Sequence, residues 1–143
     1  MMRNILNNPF FQPPRDDNDA SSFTPPIDIF SDPSAFTIHV ALPGAHKSDI
    51  GLDWDPQRSS LRIAGVVHRP GDEAFVATLV SSERAVGVFD RHVPLPPRDA
   101  GAADADVVVD DAGITARMEH GILIVVVPKV AKEKVEVRRV VID

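Results

Sequence analysis

Histidine is the side chain in this sequence that could most readily act as a general base or bind a metal ion at neutral pH. Five histidines occur, and none of their spacings matches a zinc-binding pattern such as H-E-x-x-H. They are His39, His46, His68, His92 and His120. Each stands beside ordinary surface residues in a predicted strand or turn. We therefore interpret them as exposed or edge histidines, and the sequence predicts no catalytic base and no metal site.

Other reactive groups are equally scarce. The chain has no cysteine, which excludes thiol nucleophiles and Cys-ligated zinc, and it contains neither the nucleophile elbow G-x-S-x-G nor the phosphate loop G-x-x-x-x-G-K-[ST]. Carboxylates crowd residues 99–111, but Asp104-x-Asp106 is only a fragment of a calcium loop, and three valines follow it. This stretch is typical of a solvated acidic loop. The sequence thus predicts a protein that is not an enzyme and binds no cofactor.

Composition narrows the classes of partner. The 143 residues are 43% hydrophobic, which is enough for one domain with a proper core. The net charge of −6 argues against nucleic-acid binding, because that affinity rests on clustered cations. No apolar run approaches the roughly 18 residues of a membrane span, and residues 1–8 do not resemble a signal peptide. We expect a soluble, cytoplasmic protein with neither a nucleic-acid nor a membrane partner.

Residues 1–25 have the composition of an arm rather than of a folded unit. Prolines crowd this stretch, and its polar middle cannot bury itself, so we predict that it is mobile. Its start carries a small apolar cluster, which consists of Ile5, Leu6, Phe10 and Phe11. This cluster either docks on the parent domain as a short amphipathic turn or meets other subunits and other proteins.

Residues 26–129 have the pattern of a β-sheet domain. Apolar and polar residues alternate in short runs, such as the run from Phe36 to Leu42, and turn signals such as Pro43-Gly44 separate the runs. Many short strands of this kind indicate an all-β, antiparallel, immunoglobulin-like β-sandwich. Residues 122–127 are all apolar, so this strand is either buried on both faces or has one face that awaits a partner.

Arg91 is the charged residue whose position is least expected. It lies in phase with the apolar residues of a strand predicted over residues 85–95. One interpretation is an edge-exposed arginine whose stem covers apolar surface. The other is a partly buried ion pair between strands or between subunits, for which Asp90, Glu83 and Asp110 are candidate partners.

Residues 130–143 form a C-terminal arm or extension. The arm ends in β-branched residues, in which disordered tails are usually depleted. Val140 and Ile142 alternate with Val141, so strand geometry places the first two on one side. We predict a short strand that adds to an exposed sheet edge or groove.

Six stretches, in their order and spacing, resemble the α-crystallin domain of the small heat-shock proteins of the plant, bacterial and fungal type. The family patterns are P-x-D-I, V-x-L-P-G-x-x-K-x-D-I, L-x-I-x-G, E-R-x-x-G-x-F-x-R, the closing A-x-x-x-x-G-x-L-x-[IV]-x-[IV]-P-K and the terminal [IV]-x-[IV]. They fall on residues 26–29, 40–50, 61–65, 83–91, 116–129 and 140–142. The resemblance therefore spans residues 26–143.

The resemblance implies an ATP-independent holdase chaperone, which keeps partly unfolded client proteins from aggregating. Such a protein works as a homodimer that assembles into a larger homo-oligomer. By the same resemblance, the tail residues Val140 and Ile142 occupy a groove on a neighbouring dimer, lined by Ile50, Leu52, Trp54, Ile114, Ala116 and Met118. The implied dimer interface comprises Arg91, Phe75, Val76, Leu79, Ile27 and Ile29, and the N-terminal apolar cluster serves clients and assembly.

Some features depart from the family pattern: the N-terminal arm is short for the family, Val140 replaces the more common Ile, and two further departures lie in the loops. The 17 residues between Gly65 and Glu83 suit a loop whose strand is exchanged with the dimer partner, but residues 75–80 replace the Trp-His often found there. The segment 99–111 is longer and more acidic than usual. The alternative interpretation is a monomeric co-chaperone-type β-sandwich that docks on a larger chaperone, and such a module would not need a terminal V-x-I.

Overall fold

The computed structural model describes residues 22–130 and 140–143. In this part of the chain, seven antiparallel strands form two sheets around a shared core, as the sequence predicts. The strands are β1 (Ile27–Ser31), β2 (Ala35–Ala41), β3 (Ile50–Asp55), β4 (Ser60–Val67), β5 (Gly87–Pro94), β6 (Thr115–Glu119) and β7 (Ile122–Pro128). One sheet has the order β1–β2–β7–β6 and the other the order β3–β4–β5.

The core is built from alternate residues of both sheets. Phe36, Ile38 and Val40 of β2 are completely buried, and they share one cluster with Ile63 of β4 and Phe89 of β5. Successive side chains of a strand point to opposite faces, so the alternation in the sequence places every second residue inside. Each such side chain contributes about 1.5–3 kcal/mol by burial.

Short polar residues shape the hairpin turns. Asp32 Oδ1 accepts hydrogen bonds from the Ser34 hydroxyl and from the backbone N–H groups of Ser34 and Ala35, at 2.7, 2.7 and 2.9 Å. These hydrogen bonds, the one from the Ser34 side chain first, lower the pKa of Asp32. His120 and Gly121 both adopt positive φ, 52° and 77°, and form the two-residue turn between β6 and β7. Such turns match the twist of the strands that they join.

The wholly apolar strand β7 lies in the middle of its sheet, between β2 and β6. Its inward residues Leu123, Val125 and Val127 are buried, whereas the outward residues alternating with them are half-buried. The outward face is thus partly covered by the neighbouring strands, and the inward face supplies the core. This arrangement lies between the two alternatives that the sequence left open.

The segment between β4 and β5 differs most from expectation. Strand β4 continues past Gly65 to Val67, and no strand follows it before β5. Residues Glu73–Val76 instead form a one-turn helix, α1, whose N-cap Asp72 accepts a hydrogen bond from the backbone N–H of Phe75 at 2.8 Å. A strand over this segment needs a neighbour to complete its backbone hydrogen bonds, and a single chain offers none.

No helix in the described residues has the length and apolarity needed to cross a bilayer.

Candidate functional site

Strand edges are the first candidate sites, because an unpaired edge can accept another strand. Strands β1 and β6 bound the larger sheet, and β3 and β5 bound the smaller one. The edge of β5 is partly occupied, since Ser22 forms a parallel bridge to Val88 and the Phe23 N–H donates to the Val88 carbonyl at 2.9 Å. Within residues 22–130, the edges of β1, β3 and β6 therefore offer the most room for an added strand.

A cleft of about 530 Å³ lies beside the edge of β1. Its walls include Ile27 and Ile29 from β1, Arg91 from β5, and Pro97 and Ala100 from the segment that follows β5. The structure thus brings together three of the residues predicted for a dimer interface. The cleft combines apolar side chains, a cation and several carboxylates beside a strand edge, and a docked β-strand can use each of these features.

Arg91 fits neither sequence-based alternative fully. Its side chain is half-buried, and its Nη1 donates a hydrogen bond to the Pro25 carbonyl at 2.8 Å. None of the three carboxylates predicted as partners forms an ion pair with it among the described residues. Asp90 points to the opposite face of β5 and binds Arg62 at 2.6 Å, and the hydrogen bond from Arg62 lowers the pKa of Asp90.

The other predicted interface residues lie outside this cleft. Phe75 is 64% exposed and Leu79 47% exposed, whereas Val76 is half-buried. Val80, next to Leu79, is 99% exposed. Apolar side chains this open, on a segment without sheet partners, form a surface that is expected to be covered in an assembly.

The predicted tail-accepting groove falls on the edge strands β3 and β6 of opposite sheets and on Ile114, which directly precedes β6. Five of its six residues are half-buried and pack against the core; they are Ile50, Leu52, Trp54, Ile114 and Met118. The sixth, Ala116, faces inward opposite Val125 in the register but is exposed. Its methyl group is too short to pack beneath neighbouring side chains at the edge of the sheet. The two edges thus present partly covered apolar side chains with a gap at Ala116.

The two tail residues that are predicted to occupy the groove are exposed in the single chain. Val140 is 81% exposed and Ile142 is 93% exposed. Neither therefore occupies a groove on its own domain. The N-terminal cluster of Ile5, Leu6, Phe10 and Phe11 lies outside the described residues.

An ionic cluster at Lys129 was not predicted. The side chain of Lys129 is only 8% exposed. Its ammonium group donates hydrogen bonds to Asp104 Oδ1 at 2.8 Å, to Ser31 Oγ at 2.7 Å and to the Asp32 carbonyl at 2.6 Å. It also lies 4.6 Å from the centre of the Phe36 ring. The prediction of a solvated acidic loop is thus wrong for Asp104, which ties the loop to the end of β1. Only the excess of carboxylates near a Pro-Lys motif hinted at this pairing.

Replacing Lys129 by methionine is expected to lower the melting temperature at pH 7, because Asp104 loses its main partner. The hydrogen bond from Lys129 holds the pKa of Asp104 below its usual value. Stability from a lowered carboxylate pKa is present above the unfolded value, about 3.9, and is lost as pH falls through the folded value. The gap between variant and wild type, measured by thermal melts, should therefore shrink below about pH 4. Exposed Lys47→Met is the control, and an equal effect of both variants would refute the cluster's role.

Titratable groups elsewhere in the described part of the chain do not form a metal centre. No group of three or more His, Asp or Glu residues in the described ranges could hold a metal ion. The described histidines are dispersed on strands and turns; for example, His39 packs against Phe30 at 4.8 Å between ring centres. The chemistry that the described residues support is thus apolar and strand-edge binding.

The chain resembles known proteins in sequence. A model of the Hsp20/alpha crystallin family matches residues 28–143. An SHSP domain-containing protein of Claviceps purpurea is 36% identical over 121 residues, which cover 79% of this chain and 39% of that protein. Heat shock protein 16 of Schizosaccharomyces pombe is 30% identical over 112 residues, which cover 78% of this chain and 70% of that protein. This chain thus spans well under half the length of the first relative.

A solved structure agrees in fold. The small heat-shock protein from Xylella fastidiosa superposes with a TM-score of 0.61 and 29% sequence identity, covering 85% of this chain and 97% of that one. The two-sheet sandwich is therefore that of an α-crystallin domain. Since the family model covers most of the chain, this protein belongs to the Hsp20/alpha crystallin family of small heat-shock proteins, which are chaperones.

Proposed function

We propose that this protein is an ATP-independent holdase, which binds partly unfolded proteins in the cytoplasm and prevents their aggregation. The observation that carries the proposal is the set of large apolar side chains left open on a well-packed sandwich. Phe75, Val80 and Ile142 are between 64% and 99% exposed, while the side chains of the core cluster are buried. Such surface is a hazard for a solitary monomer and a binding site for an assembling chaperone.

The first assembly step is a homodimer formed at the edge of β1. Residues 68–80 of a second copy, which follow β4, bring Phe75, Leu79 and Val80 to the cleft lined by Ile27 and Ile29. In that position the segment can pair with the backbone of β1, and its apolar side chains lose their contact with water. The side chain of Arg91 lies at the same cleft, where its remaining N–H groups can donate hydrogen bonds to a carboxylate of the partner.

The second step joins dimers through the tails. Val140 and Ile142 of one chain enter the groove between the β3 and β6 edges of a neighbour, near the gap at Ala116. Burial of each aliphatic side chain contributes about 1.5–3 kcal/mol before ordering costs. One tail is therefore a weak, exchangeable contact, and many tails together hold the assembly by avidity. Release of a tail frees apolar surface for a client.

The test is suppression of aggregation without nucleotide. A heat-labile enzyme is warmed with increasing amounts of this protein, and light scattering is followed in the absence of ATP. We expect scattering to fall steeply as the two proteins approach equal numbers of subunits, whereas an equal mass of an inert carrier protein has no effect. Unchanged scattering, together with a monomeric mass in solution, would instead support the monomeric co-chaperone-type module.

A further inference from the structure

The acidic segment after β5, which we define as residues 97–110 and call the insertion, is anchored at its far end. Asp104 binds Lys129 and accepts a hydrogen bond from Ser31 at 2.7 Å. Beyond it, the Asp110 N–H donates to the Pro128 carbonyl at 2.8 Å, and Val109 forms an antiparallel bridge to Lys129, directly after β7. These contacts hold the insertion against the sandwich as a fixed wall.

The near end of the insertion forms one side of the cleft beside β1. Asp99 lines the cleft from this wall, Asp28 lines it from β1, and Arg91 lines it from β5. Asp104 also reaches the cleft, but its charge is balanced by Lys129. Among the described residues, neither Asp99 nor Asp28 forms an ion pair. The cleft therefore presents two uncompensated carboxylates and one guanidinium to any strand that enters it.

The segment that the proposed dimer brings to this cleft carries both signs of charge. Arg69 lies within it, and Glu73 lies four residues further on, just before the exposed Phe75. No ion pair of either residue occurs within residues 22–130. Arg69 and Glu73 can thus match Asp99 and Arg91 in charge, whereas the carboxylate of Asp72 accepts the hydrogen bond that caps α1.

Resting on the proposed dimer, we propose that the insertion selects the partner strand by charge. Asp99 of one copy forms an ion pair with Arg69 of a second copy, and Arg91 of the first copy forms one with Glu73 of the second. A strand whose acidic and basic residues stand in exchanged positions would place an acid beside Asp99 and a base beside Arg91. Such like-charge contacts at an interface disfavour a wrong partner. The preferred occupant is therefore another copy of this chain rather than an arbitrary apolar strand.

A charge swap in the full-length protein tests this pairing. Asp99→Lys faces Arg69 of its partner, and Arg69→Glu faces Asp99, so each homodimer contains two repulsive contacts. We expect each variant to dissociate at about tenfold higher concentration than wild type, and less so in high salt. Mixing the two variants restores attraction at both contacts, and native mass spectrometry should therefore show mainly heterodimers. Asp106→Lys, on the insertion but outside the cleft lining, is the matched control.

The outcomes separate the two proposals. Wild-type-like homodimers of both variants, or a random mixture of dimers after mixing, would refute the selection by charge and leave the dimer itself intact. A monomeric wild-type protein would refute the dimer proposal before any variant is made. Matching circular-dichroism melts of the variants and wild type exclude misfolding as the cause of a weakened dimer.

Discussion

Replacing Val140 and Ile142 together by alanine is expected to convert the proposed large assembly into dimers. Both side chains are more than 80% exposed in the single chain, so the substitutions remove no contact within the domain. In the assembly they remove about five buried methyl or methylene groups per tail, which amounts to roughly 4 kcal/mol. That loss weakens each tail contact about a thousandfold. Many weakened tails acting together cannot hold the oligomer.

The neighbouring Val141 supplies a matched control. It is 84% exposed, but in the proposed docked strand the alternation of side chains points it away from the side shared by Val140 and Ile142. Val141→Ala should therefore leave the mass measured by light scattering after size exclusion unchanged, whereas the double variant elutes near twice the mass of one chain. An equal response of the two proteins would show that the tail acts only through its general hydrophobicity.

The strands were predictable because one local rule governs them. In β2, every second residue is apolar and large, and only an extended strand with one buried face gives that period of two. The turns were readable for a similar reason, since Pro43-Gly44 and His120-Gly121 use residues that tolerate turn geometry. The strand edges that bear the candidate grooves follow from the same pattern, once the order of the strands is known.

Pairings between distant charges were not predictable. Arg91 lies 66 residues from its hydrogen-bond partner Pro25, and Lys129 lies 25 residues from Asp104. No local period links such residues, and the surplus of carboxylates offers many equivalent partners for each cation. Helix α1 was missed for a different reason, because its four residues are too few to show a helical repeat, and a resemblance to exchanged strands favoured extended structure.

Gly65→Ala is expected to destabilise the fold strongly, although glycine to alanine in a strand usually stabilises by about 0.4–1 kcal/mol. Gly65 faces the core, and a Cβ atom built there would lie 2.1 Å from the Asp49 carbonyl oxygen and 3.0 Å from Phe89 Cζ. The backbone cannot move aside as a flexible side chain does. Overpacking at this position therefore lowers the free energy of unfolding by at least about 1–3 kcal/mol. The sequence pattern L-x-I-x-G therefore reflects a close approach of two backbones.

The choice of Gly101→Ala as control makes the measurement specific. A Cβ atom at Gly101 meets nothing within 4 Å, so its urea-unfolding midpoint should match wild type, while that of Gly65→Ala falls. Because Asp49 immediately precedes β3, the displaced carbonyl also shifts the edge strand that bears Ile50 and Leu52. Gly65→Ala should then weaken tail binding together with stability. An unfolding midpoint equal to that of Gly101→Ala would mean that the backbone relaxes freely at this contact, and that the position of the β3 edge does not depend on it.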